Sequence, residues 1–261
     1  MDLSIIIVNY RSKEKLINCL NSISLSDLSG LSYEVVVVEN NSGDDLSDLN
    51  YPSLKIITSD TNLGMGKGNN LGISRSTGEY VLIANPDIVF SPSAIKKLYE
   101  YLRTHPEAGL VAPKLLNPDG SLQYSCVRFP KFYTPLLRRT AVGQLFPGRV
   151  DHYLMKNADH SQIQSVDWIL GACFMVRRHE IKDKRLFDER YFMYFEDVDL
   201  CREIRTRGQQ VIYLPEAQIT HDHLRQSARE PWYKSLIKDK IAREHLKSAF
   251  RYFRKWKKVK A

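Results

Sequence analysis

Strand-like runs of branched aliphatic residues alternate with helix-like segments in the first part of this 261-residue chain, and this alternation constrains the fold most strongly. Four runs are almost continuous in Val, Ile and Leu, which is typical of strands that are covered on both faces. They occupy 3–9, 34–39, 54–58 and 80–84. Because strand–helix–strand units build parallel sheets, the pattern predicts an α/β fold with a mostly parallel, doubly wound sheet flanked by helices.

Capping signals and apolar spacing predict further elements. One helix begins its apolar face at Leu16 and repeats it at i+3, i+4 and i+7. Ser91 as N-cap and Pro92 at the first helical position predict a second helix, which runs to about His105. The remaining predictions are a strand at 168–176, a helix from Glu196 that Gly208 closes, and a strand at 211–214. Residues 126–165 show little clean periodicity and receive no assignment.

The positive charge of the chain is concentrated at its end. The formal net charge is +8, and residues 229–261 hold 12 of the 38 Lys/Arg and 3 of the 30 Asp/Glu, which is +9. The remaining 26 basic and 27 acidic residues give −1 for residues 1–228. Apolar residues recur near helical spacing in this tail, so it predicts a basic amphipathic helix that could meet an anionic membrane, nucleic acid or water.

The cysteines and the apolar runs bear on the compartment. The cysteines have neither zinc nor redox spacing, which predicts buried thiols in a reducing compartment. They are Cys19, Cys126, Cys173 and Cys201. The longest apolar run, 168–176, is far shorter than the roughly 20 residues that span a bilayer. Because the start of the chain also lacks a basic segment of the secretory kind, we expect a cytosolic protein without a membrane span.

Polar residues follow two of the predicted strands. Glu39 begins a polar stretch after one strand, and Asn85-Pro86-Asp87 follows another. Open α/β sheets bind ligands outside the carboxyl ends of their strands, so both segments should border one crevice. Asp87 could hold Mg²⁺ or Mn²⁺ beside a diphosphate, since hard divalent ions prefer oxygen ligands. An ordinary Asx turn is the alternative, and the tripeptide by itself favours it.

A glycine-rich segment at 62–70 lies between a predicted strand and a predicted helix. Such a turn lets backbone N–H groups approach a phosphate, although the glycines could equally serve only a tight turn. The first strand ends in Asn9-Tyr10 without any glycine, so the dinucleotide fingerprint is absent and a NAD-dependent enzyme is disfavoured.

Three acids, Glu196, Asp197 and Asp199, crowd a predicted helix start directly after four bulky apolar residues. Acids favour the first helical turn through the helix dipole, which is one explanation. An acid fixed beside apolar groups is also how a carboxylate becomes a partly desolvated general base, and the residues alone leave both readings open. His221 and His223, after another apolar run, could bind a metal or lie on the surface.

Taken in order, these segments resemble the family-2 glycosyltransferases of the GT-A fold, and more narrowly the rhamnosyltransferases of bacterial O-antigen and related polysaccharide assembly. The matching segments cover nearly the whole chain, at 5–10, 35–42, 64–72, 85–87, 168–176, 187–201 and 219–221.

The resemblance implies a role for each motif. Asp197 would be the catalytic base, with Glu196 and Asp199 orienting the acceptor or the helix. Asp87 and His221 would hold Mg²⁺ or Mn²⁺, with His223 as the alternative ligand. The nucleotide-sugar site would comprise Asn9, Tyr10, Glu39, Asn41, Gly66, Asn69, Asn85 and Asp87, and the acceptor site Trp168, Gly171 and Ala172.

Two positions depart from the family's pattern. Glu39 stands where such enzymes more often have Asp, which lengthens the side chain that would meet the base or ribose and leaves the choice of nucleotide open. Asn85 replaces the first acid of the family's Asp-x-Asp metal motif, whereas Asp87 matches its last acid. The implied metal site therefore has one acid fewer than the motif provides.

The implied reaction is an inverting transfer of a sugar. The donor nearest the resemblance is dTDP-L-rhamnose, and the acceptor is a lipid-linked saccharide of the GlcNAc-diphospho-polyprenol type. Alternatives are a transferase of the same fold that uses a UDP-sugar such as UDP-galactofuranose, a sugar nucleotidyltransferase, and a catalytically silent, membrane-recruited subunit of a polysaccharide assembly complex. A nucleotidyltransferase usually has a glycine- and lysine-rich loop after its first strand, where this chain has Asn9-Tyr10.

The same reading divides the chain. Residues 1–228 would form the GT-A domain, with a nucleotide-sugar half at 1–113 and an acceptor and catalytic half at 114–228. Residues 229–261 would form the basic C-terminal helix and bind the inner face of the plasma membrane, with Trp232, Phe253 and Trp256 at the interface. A solvated helix packed on the domain is the alternative. No nucleic-acid module is recognisable, so we expect no nucleic-acid partner.

Overall fold

The computed structural model describes residues 1–139, 141–181, 183, 185–222 and 240–257. Its strands are β1 (Leu3–Asn9), β2 (Tyr33–Glu39), β3 (Leu54–Thr58), β4 (Tyr80–Ala84), β5 (Ile88–Phe90), β6 (Ala108–Leu116), β7 (Leu122–Gln123), β8 (Cys126–Val127), β9 (Gln164–Ser165), β10 (Trp168–Ile169), β11 (Cys173–Arg177) and β12 (Gln210–His221). Its α-helices are α1 (Lys13–Ser24), α2 (Gly64–Ser74), α3 (Ala94–Thr104), α4 (Thr134–Arg139), α5 (Pro147–Tyr153), α6 (Glu196–Thr206) and α7 (Lys240–Lys255).

A ten-stranded mixed sheet lies at the centre of the described ranges, with the main order β3-β2-β1-β4-β11-β6-β12-β5. Strands β1 to β4 pair in parallel, and β6 pairs in parallel with β12. Strand β11 runs antiparallel to both β4 and β6, and β5 runs antiparallel to β12. The predicted mostly parallel α/β sheet is therefore confirmed. The predicted halves 1–113 and 114–228 share it, because β11 lies directly between β4 and β6.

The two faces of the sheet are covered by different helices. Side chains alternate along a strand, so Ile5 of β1 enters one core and Ile6 the other. Helices α1 and α3 cover the first face, and α2 and α6 cover the second. Burying an isoleucine side chain contributes about 1.5–3 kcal/mol, which explains why the central strands are so uniformly apolar. The four cysteines are buried and free, as predicted.

Several sequence predictions need correction at the level of single elements. Strand β3 lies at the edge of the sheet and is partly exposed, so it is not covered on both faces. Helix α3 begins at Ala94 with Ser93 as its N-cap, because Ser91 is held outside it by a bond from its amide to the Gln218 carbonyl. The predicted strand at 168–176 is split into β10 and β11, and the strand predicted at 211–214 extends from Gln210 to His221.

The C-terminal helix α7 packs on the domain. Tyr252 is fully buried, and Phe253 and Trp256 pack against the second core. Phe253 and Trp256 thus have contacts within the protein, and their predicted place at a membrane interface stays a prediction. Predictions for His223, Trp232 and the boundary at 228 lie outside the described residues. Within the described ranges, no helix is long and apolar enough to cross a membrane.

Candidate functional site

The carboxyl ends of the parallel strands bring the predicted site residues to one edge of the sheet. Asn9 ends β1 beside Glu39, which ends β2, and the two are partners in the parallel register. Asn85 follows β4, the other neighbour of β1, and His221 ends β12. The crevice that the sequence predicts at this edge is the place where an open α/β sheet binds its ligand.

Glu39 shapes the loop that follows β2. Its carboxylate accepts hydrogen bonds from the backbone N–H of Ser42 at 2.7 Å and of Asn41 at 3.1 Å, and it also accepts one from the Ser42 hydroxyl. Asn41 has a φ of 55°, a left-handed conformation that asparagine tolerates better than most residues. Glu39 thus holds the loop, and its contact with a base or ribose remains a prediction.

Asn9 is fully buried at the end of β1. Its Nδ2 donates a 2.8 Å hydrogen bond to Asp44, which also accepts the N–H of Ser12 at 3.0 Å. Its Oδ1 is buried without a hydrogen-bond partner among the described residues, so it points to a ligand donor at this edge. The side chain of Tyr10, the next residue, is exposed.

The glycine-rich segment lies mostly inside helix α2, which begins at Gly64, and its approach to a phosphate stays a prediction. A Cβ at Gly68 would lie 3.0 Å from Val8, and one at Gly72 would lie 2.5 Å from Ile6. A Cβ at Gly66 would lie 3.3 Å from the Phe187 Cβ. These glycines let α2 approach β1 and the 187–192 segment closely. Asn69 Nδ2 bonds the carbonyl of Met65, one turn earlier. Nucleotide contacts of Gly66 and Asn69 remain predictions.

The predicted metal ligands are adjacent. His221 Nε2 lies 3.4 Å from Asp87 Oδ1, although the two residues are far apart in sequence. His221 Nδ1 lies 2.6 Å from Oε1 of Gln123, and Gln123 Nε2 donates to Asn117 at 2.9 Å. Because Gln123 uses its amide N–H on Asn117, its oxygen accepts from Nδ1–H, and Nε2 is the ring nitrogen that faces Asp87.

These two residues fit a hard divalent ion. Mg²⁺ and Mn²⁺ are often held by one or two protein groups together with substrate phosphates, and Asp87 and His221 supply one oxygen and one nitrogen. The described parts of the chain contain no group of three or more His, Cys, Asp or Glu that could hold a metal by themselves. Any ion here would therefore depend on oxygens of a bound nucleotide diphosphate.

Asp197, the predicted base, is fixed by backbone hydrogen bonds. Its Oδ2 accepts the N–H of Gly171 at 2.9 Å, and its Oδ1 accepts the N–H of Val198 at 2.8 Å. Burial raises the pKa of Asp197 above its usual value, and the hydrogen bonds from Gly171 and Val198 act in the opposite direction. A buried, oriented carboxylate with a raised pKa is suited to general-base chemistry.

Glu196 lies beside Asp197 at the start of α6. Burial raises its pKa, and the charge of Asp197 raises it further. Its Oε2 is buried without a hydrogen-bond partner in the described ranges. The two carboxyl groups compete for one negative charge, so Glu196 favours the protonated form and leaves Asp197 as the ionised member of the pair.

Asp199 is buried, and both of its carboxylate oxygens are engaged by residues of the protein. Its side chain is buried, and its Oδ2 lies 2.6 Å from Lys255 Nζ on α7. Its Oδ1 accepts the indole N–H of Trp256 at 2.7 Å and the hydroxyl of Tyr191 at 3.2 Å. Of its two predicted alternatives, Asp199 therefore orients the helix: it ties α6 to α7.

The chain enters α6 through an unusual turn. Tyr194 and Phe195 have φ values of 67° and 68°, in the left-handed region that bulky residues rarely occupy. Packing from α7 supports this turn, because the Phe195 ring lies 5.3 Å from that of Tyr252. The Ser248 hydroxyl also donates to the Met193 carbonyl at 2.9 Å. Left-handed pairs of this kind persist only where surrounding structure holds them, and they cluster at functional sites.

The segment between β10 and β11 connects the base to the strand ends. Gly171 donates to Asp197, and the carbonyl of Ala172 accepts the N–H of Asn85 at 2.8 Å. Trp168 does not share this position, because its indole is buried and donates to the Arg128 carbonyl at 2.7 Å. Gly171 and Ala172 lie between Asp197 and Asn85, and the acceptor contacts of Trp168, Gly171 and Ala172 stay predictions.

Three residues with a role at or near the site were not identified from the sequence. Asp44 fixes Asn9, Gln123 fixes His221, and Lys255 pairs with Asp199. Asp44 lies within an Asp-rich loop and Lys255 within a basic tail, so the sequence does not distinguish either residue from its like-charged neighbours. Gln123 lies in β7, which has only two residues, and no pattern could have indicated it.

Comparison with known proteins agrees with this geometry. The family model described as glycosyl transferase family 2 matches residues 4–181. The N-acetylglucosaminyl-diphospho-decaprenol L-rhamnosyltransferase of Mycobacterium tuberculosis is 29% identical over 245 residues, which is 88% of this chain and 78% of that protein. The rhamnosyltransferase WbbL of Escherichia coli is 26% identical over 257 residues, which is 95% of this chain and 91% of that protein.

A solved structure shows the same fold. The crystal structure of GalNAc-T7 with UDP, GalNAc and Mn2+ aligns with a TM-score of 0.70 at 11% sequence identity, covering 98% of this chain and 48% of that one. The family match spans most of the chain and includes both polar strand ends and the Gly171 segment. This chain therefore belongs to glycosyl transferase family 2 and is a glycosyltransferase with the GT-A fold.

Proposed function

We propose that the protein transfers L-rhamnose from dTDP-L-rhamnose to a lipid-linked saccharide of the GlcNAc-diphospho-polyprenol type, with inversion at the anomeric carbon. The main support is the fixed position of Asp197, whose carboxylate is held by Gly171 and is linked through Ala172 to the Asn85–Asp87 segment. This arrangement supports a base at Asp197 that is linked through two backbone contacts to the expected diphosphate site. The names of the mycobacterial and Escherichia coli relatives support rhamnose as the sugar.

In the proposed reaction, Asp197 takes the proton of the acceptor hydroxyl as its oxygen attacks the anomeric carbon. The C–O bond to the nucleoside diphosphate breaks in the same displacement, and the diphosphate leaves with the electron pair. A divalent ion, when bound, would neutralise charge on the leaving diphosphate. Asp87 and His221 would hold that ion, and Gln123 would keep the imidazole in the required tautomer. Such a base contributes about 10²–10⁴-fold to the rate.

The proposed donor site combines the buried polar groups of the strand ends. Asn9 and Asn85 each have a side-chain oxygen buried without a hydrogen-bond partner among the described residues, and both could accept from a nucleotide or sugar. Glu39 and Asn41 would bound the base and ribose, with Tyr10 exposed beside them. The acceptor would approach from the side of Gly171.

An enzyme whose acceptor is linked to a lipid must reach that acceptor at a membrane surface. We therefore propose a cytoplasmic protein that binds peripherally to the inner face of the plasma membrane. Residues 229–261 carry a net charge of +9 that would attract them to that surface. Lys255 and Trp256 of this segment bind Asp199 within the protein. The proposed division into a GT-A domain at 1–228 and a C-terminal helix at 229–261 rests on this concentration of charge.

A UDP-sugar donor is the second candidate, because the neighbour GalNAc-T7 was solved with UDP and Mn2+. Thermal-shift measurements with dTDP, UDP and GDP, each with and without Mn²⁺ or Mg²⁺, would separate the donors, since a ligand that binds only the folded state raises its stability. We expect the largest shift with dTDP and metal. A strong shift with UDP and none with dTDP would refute rhamnose transfer. If none of the three nucleotides raised the melting temperature, a catalytically silent subunit would be favoured.

A further inference from the structure

The surface formed by α4, α5 and the turn between them exposes many large apolar side chains. Phe132 is 81% exposed, Leu145 75% and Leu136 52%, and Phe146 is also exposed. Soluble surfaces seldom group such residues, and a contiguous apolar patch marks an interaction site. We call this set, Phe132, Leu136, Leu145 and Phe146, the hairpin surface.

The two ends of the hairpin surface lie together in space. The guanidinium of Arg149 lies 5.5 Å from the ring centroid of Tyr133 and 5.3 Å from that of Phe146. The Phe132 ring packs edge-on against Tyr133 with centroids 5.3 Å apart. Arg149 of α5 therefore joins the segment just before α4 to the segment just before α5.

The charge of this region has a single sign. Residues 126–150 contain no Asp or Glu. The basic residues among them are Arg128, Lys131, Arg138, Arg139 and Arg149. Exposed aromatic and aliphatic side chains interleaved with basic residues match the boundary between anionic headgroups and acyl chains.

The chain just before the hairpin surface is fixed to β10 and the residue that precedes it. The Arg128 carbonyl accepts from Trp168, and the Phe129 N–H donates to Asp167 at 3.0 Å.

We propose that the hairpin surface docks the protein on an anionic lipid surface, inserting Phe132 and Leu145 while Lys131 and Arg149 meet headgroup phosphates. The described part of α7 is less suited to this role. Phe253 and Trp256 pack on the core, and Lys255 pairs with Asp199. This proposal does not depend on the identity of the donor or acceptor.

Vesicle flotation with the full-length protein tests the proposal in the absence of any sugar nucleotide. The probes are vesicles of phosphatidylcholine alone and vesicles that also contain phosphatidylglycerol. We expect the protein to bind the anionic vesicles preferentially, and added salt to weaken that binding. The double variant Phe132→Ser/Leu145→Ser should reduce the partition coefficient at least about tenfold.

Two single variants serve as comparisons. Leu25→Ser removes a side chain that is 77% exposed at the end of α1, and it should bind like the unmodified protein. Phe250→Ser removes a side chain that is 68% exposed on α7. If this variant loses binding and the double variant does not, α7 is the docking element and the proposal fails.

Two further results would also overturn the proposal. Equal binding to neutral and anionic vesicles, or none to either, would exclude an anionic lipid surface as the partner. Light scattering provides the remaining comparison: a dimer that the double variant converts to a monomer would identify the hairpin surface as a protein interface. Unchanged circular dichroism of all variants establishes that the losses are not due to unfolding.

Discussion

The backbone N–H of Gly171 donates a 2.9 Å hydrogen bond to Oδ2 of Asp197. Gly171 precedes β11 and Asp197 lies in the first turn of α6, so this bond fixes the acid relative to the central sheet. Since the carbonyl of the next residue, Ala172, accepts the N–H of Asn85, Asp197 is connected through two successive residues to the end of β4.

Asp197→Asn should abolish transfer and preserve nucleotide affinity. The amide can still accept the Gly171 N–H but cannot take a proton, so we expect kcat to fall about 10²–10⁴-fold. Titration calorimetry with the nucleotide serves as the control. In the unmodified enzyme, activity should fall as pH drops through the raised pKa of Asp197, which lies above the usual 3.8, because only the ionised form is a base. Substantial turnover by the variant would assign the base elsewhere.

Gly171→Ala should displace the base without unfolding the protein. A Cβ at this position would lie 2.9 Å from the Asp197 Cβ, so the acid must shift, and a displacement of about 1 Å can cost about 10²-fold in rate. Gly148→Ala is the matched control, because a Cβ there meets nothing within 4 Å. Steady-state kinetics should show a lower kcat for the first variant only. Equal kinetics for both would mean that the contact has no catalytic importance.

Gln123→Ala should weaken metal binding through His221. Loss of the 2.6 Å contact frees the imidazole to change tautomer, and such supporting residues typically contribute about 10–100-fold to metal affinity. The measurement is the Mn²⁺ dependence of the nucleotide-induced thermal shift. Gln162→Ala, an exposed position in the described chain, is the comparison. An unchanged Mn²⁺ midpoint would show that the hydrogen bond from Gln123 does not contribute to metal binding.

Glu196→Gln should stabilise the protein at alkaline pH. The pKa of Glu196 is raised in the folded state, so its ionisation opposes folding and the cost appears as pH rises through that raised pKa. The glutamine removes this cost. We expect a rise of about 2–4 °C in Tm, equivalent to about 1 kcal/mol, at alkaline pH. Below pH 4.5, the usual pKa of Glu, the difference should vanish, and a difference of equal size there would contradict the explanation.

Lys255→Met should loosen α7 from α6. Lys255 Nζ lies 2.6 Å from Asp199, 2.7 Å from Glu203 and 3.2 Å from Asp188, and its loss leaves the buried Asp199 without its cation. We expect a loss of about 2 kcal/mol in the free energy of unfolding by denaturant titration. Lys257→Met, two residues further on and exposed, should change little. An equal effect of both would mean that general charge, and not this cluster, stabilises the helix.

Much of the fold could be predicted from local patterns. Strands β1, β3 and β4 occur where the branched aliphatic runs placed them, and helix α6 begins at Glu196 as its acids indicated. Errors arose where a long-range bond decided the outcome. The split of the strand at 168–176 follows from Gly171 and Ala172 turning toward Asp197 and Asn85, partners that no local pattern contains.

The sequence by itself determined that three acids would open a helix behind the sheet, but only the tertiary structure assigned their roles. Asp197 and Asp199 are two residues apart, so on a helix with 3.6 residues per turn their side chains point to nearly opposite sides. One therefore meets Gly171 and the other meets Lys255. The sequence of the tail likewise predicted an apolar helix face but not its partner. In the structure, residues of that face pack in the same core as α6.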